Sequence, residues 1–398
     1  MTTQQQKLAK KYILYRSLTS MWFISAIWLA FYRIFITDQQ VGILDGMAFI
    51  IGLVAEVPSG ALADKFGRDK IVRLGQLLAG GGLLIQAAGS SFMVFFIGQA
   101  IMMIGVSFVS GADEALFFSN IKLKKSSTQW RKLVTRGSQA ALAATLVTTI
   151  IGGLTYSIGP RIPWILNGIA LIGGALIIWT IKDTTSTKAK KKFLPEMNDY
   201  LIDIKSGFSQ FRHRKLAYYV PFIITVQGIF YATDWGLLRL ILLDRFQFDA
   251  FWGSIAIASS SLITIGLLSF FHKYADMMTE KKTLITIGFV AAASLLLALA
   301  NIGVWGYVVI LGLYAGDHIL QPYISEILNN HAAEKQRATV LSVASFLRTL
   351  PYVVLAPLIG YLSTNGKLNY FLVTWAVLIA CSLLVYLYSK KLDRHSLQ

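Results

Sequence analysis

Runs of roughly 20 apolar residues recur along the whole chain, and each is long enough to cross a bilayer core about 30 Å thick as a helix. The 398 residues are 55% hydrophobic and only 14% charged, a balance unlike that of soluble proteins. This pattern predicts an all-α polytopic membrane protein.

Twelve spans are predicted, and turn residues such as Gly159-Pro160 separate several of them. The first span is too long for a secretory signal and lacks a small-residue cleavage motif, so we expect it to remain as a permanent helix. Numbered one to twelve, the spans are residues 12–35, 41–62, 72–90, 92–118, 138–158, 163–181, 216–238, 251–271, 283–301, 304–327, 339–362 and 369–389.

The basic residues predict the orientation, because Lys and Arg are retained on the cytoplasmic side during insertion. With both termini inside, 30 of the 37 Lys and Arg fall in inner segments, and Arg16 and Arg348 fall within spans. The outer set is Arg33, Arg161, Arg239, Arg245 and Lys367. We therefore expect a multi-pass plasma-membrane protein with cytoplasmic termini, and membrane lipids rather than nucleic acid account for its net charge of +17.

A basic segment, residues 182–215, separates two sets of six spans. It is predicted to be a cytoplasmic linker between an N-terminal bundle, residues 1–181, and a C-terminal bundle, residues 216–398. Its part Met197–Phe211 has apolar residues at helical spacing, which favours an amphipathic helix on the membrane surface. A disordered loop is the alternative.

Two stretches indicate that the halves are repeats. Ile104–Asp113 in span four resembles Leu311–Asp317 in span ten, and each has small residues just before an intramembrane aspartate. Ala275–Lys282 is a degenerate counterpart of Ala63–Lys70. Parallel six-helix halves with a binding site between them are a known transporter architecture.

The segment between spans two and three reads Gly60-Ala61-Leu62-Ala63-Asp64-Lys65-Phe66-Gly67-Arg68-Asp69-Lys70. It resembles motif A of the major facilitator superfamily, and the chain as a whole resembles bacterial drug/proton antiporter-type members. Gly60, Asp64, Gly67, Arg68 and Lys70 match the characteristic positions. The resemblance covers essentially the whole chain and implies two pseudo-symmetric six-helix bundles and transport by alternating access.

The resemblance also implies partners for the motif's charges. Its aspartate is expected to meet a basic residue of helix eleven, which here points to Arg348 for Asp64. Its arginine is expected to meet an acid of helix four, which points to Asp113 or Glu114 for Arg68. Because buried charges cost about 2.5–3.5 kcal/mol each on insertion scales, we expect a charge relay that stabilises an outward-open state. Static structural ion pairs are the alternative.

Two other family motifs are incomplete. In motif B, Gln99 stands at the arginine position and Met103 at the first glycine, and the antiporter motif keeps Gly152-Gly153 but lacks its proline. Proton-coupled export, proton-coupled nutrient uptake and a non-transporting scaffold or receptor all therefore stay open.

The family's cavity is lined by helices one, four, seven and ten, and this implies a set of candidate substrate contacts that is aromatic with few fixed charges. Such a surface suits amphipathic or lipophilic compounds better than sugars or anions, so multidrug export is favoured. Packing or lipid-facing positions are the alternative. The candidates are Trp22, Trp28, Tyr32, Gln99, Met103, Gln227, Tyr231, Trp235, Tyr314 and Gln321.

Proton coupling needs a titratable group inside the membrane. The best-placed groups are Asp317 with His318 and Asp113 with Glu114, and Asp317 is preferred as the proton carrier. Asp45 and Asp234 are predicted nearer the outer ends.

No hydrolase, zinc-peptidase or ATP-binding motif occurs in the sequence. We therefore expect no enzyme activity, catalytic residue, metal or cofactor, and a monomer that binds a small molecule and protons. The single Cys381 is predicted to be a buried structural thiol.

Overall fold

The computed structural model describes residues 2–121, 128–183, 209, 211, 214–273, 279–331 and 337–395. Over these residues the chain forms helices and no strand. It divides into two compact units: unit 1 comprises 1–36, 47–198 and 250–258, and unit 2 comprises 37–46, 199–249 and 259–398. Most of the predicted linker, including its basic run and nearly all of its predicted amphipathic helix, lies outside the described residues.

Eight helices precede the linker: α1 Thr3–Thr19, α2 Trp28–Tyr32, α3 Asp38–Phe66, α4 Arg68–Ala88, α5 Phe92–Val109, α6 Ala112–Ile121, α7 Thr128–Ile158 and α8 Ile162–Trp179. After it come α9 Arg214–Ala217, α10 Val220–Phe222, a π-helix Ile223–Gln227, α11 Gly228–Asp234, α12 Leu237–Arg245, α13 Ala250–Lys273, α14 Glu280–Leu297, a 3₁₀ turn Gly303–Gly306, α15 Tyr307–His331, α16 Arg337–Thr364 and α17 Leu368–His395. Within the described ranges nine helices are long and apolar enough to cross a membrane, or ten if a bent pair counts as one span. The all-α polytopic prediction is confirmed.

Span one is broken, contrary to the single helix predicted. α1 ends at Thr19, whose hydroxyl donates to the carbonyl of Tyr15, and this kind of back-bonding weakens a helix end. The backbone groups freed by the break find partners on α7: Thr145 donates to the carbonyl of Ser20, and Trp22 donates its amide to Thr148. This satisfies the rule that backbone polar groups in a membrane need internal partners.

Spans four and seven are also broken. In span four the chain turns at Ser110 and Gly111, between α5 and α6. Span seven contains the π-helix and then bends by 68° at the break between α11 and α12. It ends at Arg245 rather than at the predicted residue 238. Such interruptions are tolerated in a membrane protein where they line a cavity or are buried in protein.

The two units repeat one packing pattern. In unit 1, α4 packs against α5 and α8, and in unit 2, α14 packs against α15 and α17. The first residue of α4, Arg68, donates its amide to Asp183 just beyond α8 at 3.1 Å. The matching position at the start of α14 is Glu280, which pairs with Lys390 near the end of α17 at 2.6 Å. The corresponding helix ends are therefore tied in both units, through a backbone amide in unit 1 and through an ion pair in unit 2.

Glu280 accepts three hydrogen bonds, because Tyr219 and Tyr386 also donate to its carboxylate at 2.6 and 2.8 Å. Burial alone would raise the pKa of this carboxyl, but the hydrogen bonds outweigh burial and hold the pKa below its usual value of 4.5. A carboxyl group whose pKa is lower in the folded than in the unfolded protein stabilises the fold at pH values above the unfolded-state pKa. That stability is lost as the pH falls through the folded pKa.

We therefore expect Glu280→Gln to lower the unfolding temperature of the detergent-solubilised protein at neutral pH. The deficit should shrink as the pH falls from the usual carboxyl pKa through the lower pKa of the folded protein, because the wild-type carboxylate becomes protonated over that range. Thermal unfolding of both proteins across a pH series measures it. A deficit that stays constant with pH would show that the ionised carboxylate is not what stabilises this cluster.

α17 has an extended exposed apolar surface that includes Val377, Leu384 and Tyr388. Cys381 lies exposed on the same helix, so the prediction of a buried thiol is wrong. Exposed apolar side chains on a spanning helix have their natural surroundings in hydrocarbon, and the thiol sits among them as a small apolar group.

Candidate functional site

The interior of unit 2 contains a buried ion pair. Asp317, in the middle of α15, is 2% exposed, and one of its carboxylate oxygens lies 2.5 Å from a guanidinium nitrogen of Arg348 on α16. Its other oxygen accepts a hydrogen bond at 3.0 Å from Gln321, one helical turn further along α15. Both oxygens therefore have donors, as a buried charge requires.

A second pair lies beside the first. Asp234, at the end of α11, is 3.9 Å from the guanidinium of Arg239, and both side chains are largely buried. Ligand atoms of Asp234, Asp317 and His318 all lie within 4.8 Å of one another. A ring nitrogen of His318 is 3.0 Å from the carbonyl of Tyr314, whose ring stacks on the imidazole. Two carboxylates and an imidazole thus converge where two guanidinium groups already supply positive charge.

A third carboxylate is linked to this cluster through two tyrosines. The Arg348 guanidinium lies over the ring of Tyr231, with 5.5 Å to the centroid, and Tyr231 packs edge-on against Tyr352. Tyr352 donates a hydrogen bond to Asp45 and accepts one at 2.6 Å from the amide of Leu237. That amide belongs to the first residue of α12, at the break in span seven.

We name this set the charge network: Asp45, Asp234, Asp317, Arg239, Arg348, Tyr231, Tyr352 and His318. With all acids ionised and His318 neutral, three carboxylates face two guanidinium groups. The network therefore carries one negative charge in excess. In a low-dielectric interior that charge is costly, and one proton or one bound cation would cancel it.

Tyr352 is expected to hold the break in span seven to α16. Tyr352→Phe removes the hydroxyl and leaves the partly buried carboxylate of Asp45 and the buried backbone amide of Leu237 without this partner. We therefore expect a loss of about 1–3 kcal/mol of stability. Tyr361→Phe is the matched control, since Tyr361 is an exposed tyrosine of the same helix. Thermal unfolding measures both variants, and equal stability of the two would contradict the role given to the Tyr352 hydroxyl.

Unit 1 has a smaller polar cluster around the aspartate that matches Asp317 in the internal repeat. Asp113, on α6, interacts with the hydroxyl of Tyr15 and with the guanidinium of Arg16. Gln76 on α4 donates to the same hydroxyl at 2.9 Å. The neighbouring Glu114 is exposed, so the two adjacent acids point to different surroundings, as expected for consecutive helical residues.

The residues of motif A form a tight turn between α3 and α4. Gly67 has a φ of 97°, in the region where glycine is favoured. The side chain of Arg68 lies 3.5 Å from Asp64. The side chain of Arg68 therefore pairs with Asp64 and its backbone amide binds Asp183. Its expected pairing with Asp113 or Glu114 stays a prediction.

The remaining motif positions carry little packing. Lys70 is exposed, and a side chain added at Gly60 would meet no atom within 4 Å. Arg348 has Asp317 as its partner in unit 2. Asp64 and Arg348 belong to different units, and their contact stays a prediction.

The predicted cavity residues of spans one and four belong to unit 1, and one of them is plainly a packing residue. Tyr32 is buried against Phe95 and Trp164 and donates to Gln86 at 2.5 Å. Trp28 packs edge-on against Tyr32. Three further candidates are partly exposed: Trp22, Gln99 and Met103.

Three of the five candidates of spans seven and ten contact the charge network in unit 2. Tyr231, Tyr314 and Gln321 each contact a member of it. Trp235 is 62% exposed at the break in span seven, whereas Gln227 is buried in the π-helix. The structure therefore brings Tyr231, Tyr314 and Gln321 together around the charge network and leaves Tyr32 in the core of unit 1.

Four network members were missed as site residues from the sequence: Asp45 and Asp234, which were predicted only to lie nearer the outer ends, and Arg239 and Tyr352. Arg239 was assigned to an outer loop, although its setting Leu237-Leu238-Arg239-Leu240-Ile241-Leu242-Leu243 is apolar enough to have indicated a buried arginine. Tyr352 follows Pro351 in an apolar helix, and nothing in the sequence sets it apart from the other tyrosines.

Comparisons with known proteins agree on the family. Residues 13–356 match the model described as Major Facilitator Superfamily. The chain is 26% identical over 314 residues to the tetracycline resistance protein, class H, of Pasteurella multocida, covering 76% of this chain and 75% of that protein. It is 21% identical over 310 residues to multidrug resistance protein 2 of Bacillus subtilis (strain 168), covering 76% and 74%. A mutant of the nucleoside transporter NupG has the same fold, with a TM-score of 0.77 at 11% identity over 97% of this chain and 100% of that one.

Proposed function

Because the chain belongs to the Major Facilitator Superfamily and is a membrane transporter rather than an enzyme, we propose that it exports amphipathic or lipophilic small molecules in exchange for protons. The proposal places it in the plasma membrane as a monomer with both termini cytoplasmic. The observation that carries it is the buried pair of Asp317 and Arg348.

The pair supplies what proton coupling requires. When Asp317 is ionised, its carboxylate holds the Arg348 guanidinium at 2.5 Å. A proton on the carboxylate removes that attraction and cancels the excess charge of the network, which lowers the cost of burying it. Two protonation states thus favour two arrangements of α15 and α16, which is the differential affinity that a coupling ion must have.

The aromatic surroundings support an amphipathic substrate. Tyr231 lies against the Arg348 guanidinium, and Tyr314 stacks on His318. The exposed ring of Trp235 is next to Asp234 in the sequence. Aromatic faces attract organic cations and apolar bodies alike. A cationic substrate would cancel the same excess negative charge as a proton, so the two would compete. The names of the two curated relatives, which refer to tetracycline and multidrug resistance, point to the same class.

The test is proton movement in proteoliposomes that contain a pH-sensitive dye. Amphipathic cations, neutral lipophilic drugs and sugars are added in turn to vesicles with an imposed acid interior. Collapse of the gradient by cationic or lipophilic drugs, absent from protein-free vesicles, is the expected result. Acidification of the vesicle interior together with entry of a nutrient would replace the proposal with proton-coupled uptake. No pH change with any solute would favour a non-transporting role.

A further inference from the structure

We propose that the first three turns of α7 bind the phosphate group of an anionic phospholipid. Five side chains there line an open surface depression of about 470 Å³: Arg131, Lys132, Thr135, Arg136 and Gln139. At the helical turn of about 100° per residue these five positions fall within an arc of about 140°. They therefore form one face of the helix, which we name the basic face.

Within the described residues, the basic face has no acidic partner. All five side chains are exposed, and neither Arg131, Lys132 nor Arg136 is paired with an acid among the residues that the structure describes. Like charges one helical turn apart repel one another. An anion bound between them would relieve that repulsion.

The hydrogen-bond donors of the basic face suit the oxygen atoms of a phosphate group. Two arginines offer planar forks that match phosphate geometry, and Lys132 adds a compact charge. Thr135 and Gln139 lie one and two turns from Arg131 on the same ridge, and each adds a neutral hydrogen-bond donor. A phosphate diester, with one negative charge and two free oxygens, can use both kinds of donor.

The helix continues from the basic face into an apolar surface, which favours a lipid over a soluble phosphate. Leu142 and Leu154 are exposed and fall in the same arc as the basic residues, and the exposed Val147 lies at its edge. A phospholipid placed along α7 would set its phosphate on the arginines and an acyl chain on Leu142 and Val147, which follow them along the helix. The basic face also lies at the end of α7 that is predicted to be cytoplasmic. Anionic lipids of the cytoplasmic leaflet attract basic side chains there.

Native mass spectrometry of the full-length protein in detergent tests this, with phosphatidylglycerol as the titrated probe. We expect the dissociation constant to rise at least about tenfold in R131Q/K132Q/R136Q, which removes three of the charges that attract anionic lipid. The control K7Q/K10Q/K281Q removes the same charge from exposed lysines on other helices and should change it by less than about twofold.

Two further ligands distinguish binding of a lipid from binding of a soluble phosphate. Phosphatidylcholine should bind more weakly than phosphatidylglycerol, and glycerol phosphate should compete poorly because it has no acyl chain. Unchanged affinity in R131Q/K132Q/R136Q, or an equal loss in both triple variants, would overturn the proposal. Glycerol phosphate that binds as tightly as the lipid would also overturn it, in favour of a soluble anion site.

Discussion

Asp317→Asn is expected to reduce proton-driven transport to the level of protein-free vesicles. The amide cannot take up and release a proton in the physiological range, so the step that couples protons to the α15–α16 arrangement is lost. It also leaves the Arg348 guanidinium buried without its anion, for which breakage of buried pairs suggests a cost of about 3–5 kcal/mol in stability. Transport assays and thermal unfolding together measure the two effects.

The double variant D317N/R348Q separates coupling from folding. Removing both charges leaves no unpaired guanidinium, so the unfolding temperature should return toward the wild-type value. Proton-driven transport should remain absent, because the titrating group is still missing. A double variant that regains proton-driven transport would show that the pair is only structural.

Glu326→Gln is the control for these variants, because Glu326 is an exposed acid on the same helix, α15. Its replacement should change neither transport nor stability appreciably, as surface substitutions usually do. Loss of coupling in this control would mean that the charge of α15 as a whole, and not Asp317, matters.

Gly152→Ala is expected to be the most damaging of the small substitutions outside the charge network. A Cβ at Gly152 on α7 would lie 1.8 Å from the carbonyl oxygen of Phe23, in the irregular segment that interrupts span one. Neither backbone can yield easily, because Thr145 and Thr148 bond the same segment. Overpacking of this kind costs about 1–3 kcal/mol, and we expect a matching fall in unfolding temperature together with poor membrane yield.

Gly266→Ala on α13 supplies the comparison, since a Cβ there meets no atom within 4 Å. It should leave stability unchanged or raise it by up to about 1 kcal/mol, because alanine favours a helix over glycine. If both glycine variants unfold at the same temperature, the close packing of span one on α7 does not stabilise the protein.

The apolar spans and their helical class could be read from the sequence because hydrocarbon imposes the same length and apolarity on each of them. The breaks could not. Ser20 to Ile27 are as apolar as the residues of a regular helix, and the segment is irregular because Thr145, Thr148 and Gly152 of α7 offer hydrogen bonds and space. The residues that make this segment irregular lie more than 100 positions away in the chain, so the local sequence pattern does not predict the break.

Part of the candidate site could be predicted from the sequence for the same reason. Asp317 and Arg348 are charged residues within apolar runs. Because a charge inside the membrane is costly in free energy, each is identified as a candidate functional residue. Their pairing with each other was not foreseen, because the resemblance assigned Arg348 to Asp64. Asp45, Tyr352 and Leu237 meet only through the bend in span seven, which the sequence does not disclose.

Substrate flux under opposed gradients tests the central claim of proton-coupled export most directly. Proteoliposomes of known orientation receive a fixed substrate gradient, while the pH difference is stepped from one sign to the other. Antiport predicts that net substrate flux reverses with the sign of the pH difference, always against the proton movement. Flux that follows the substrate gradient at every pH difference, or that runs in the same direction as the protons, would contradict the account.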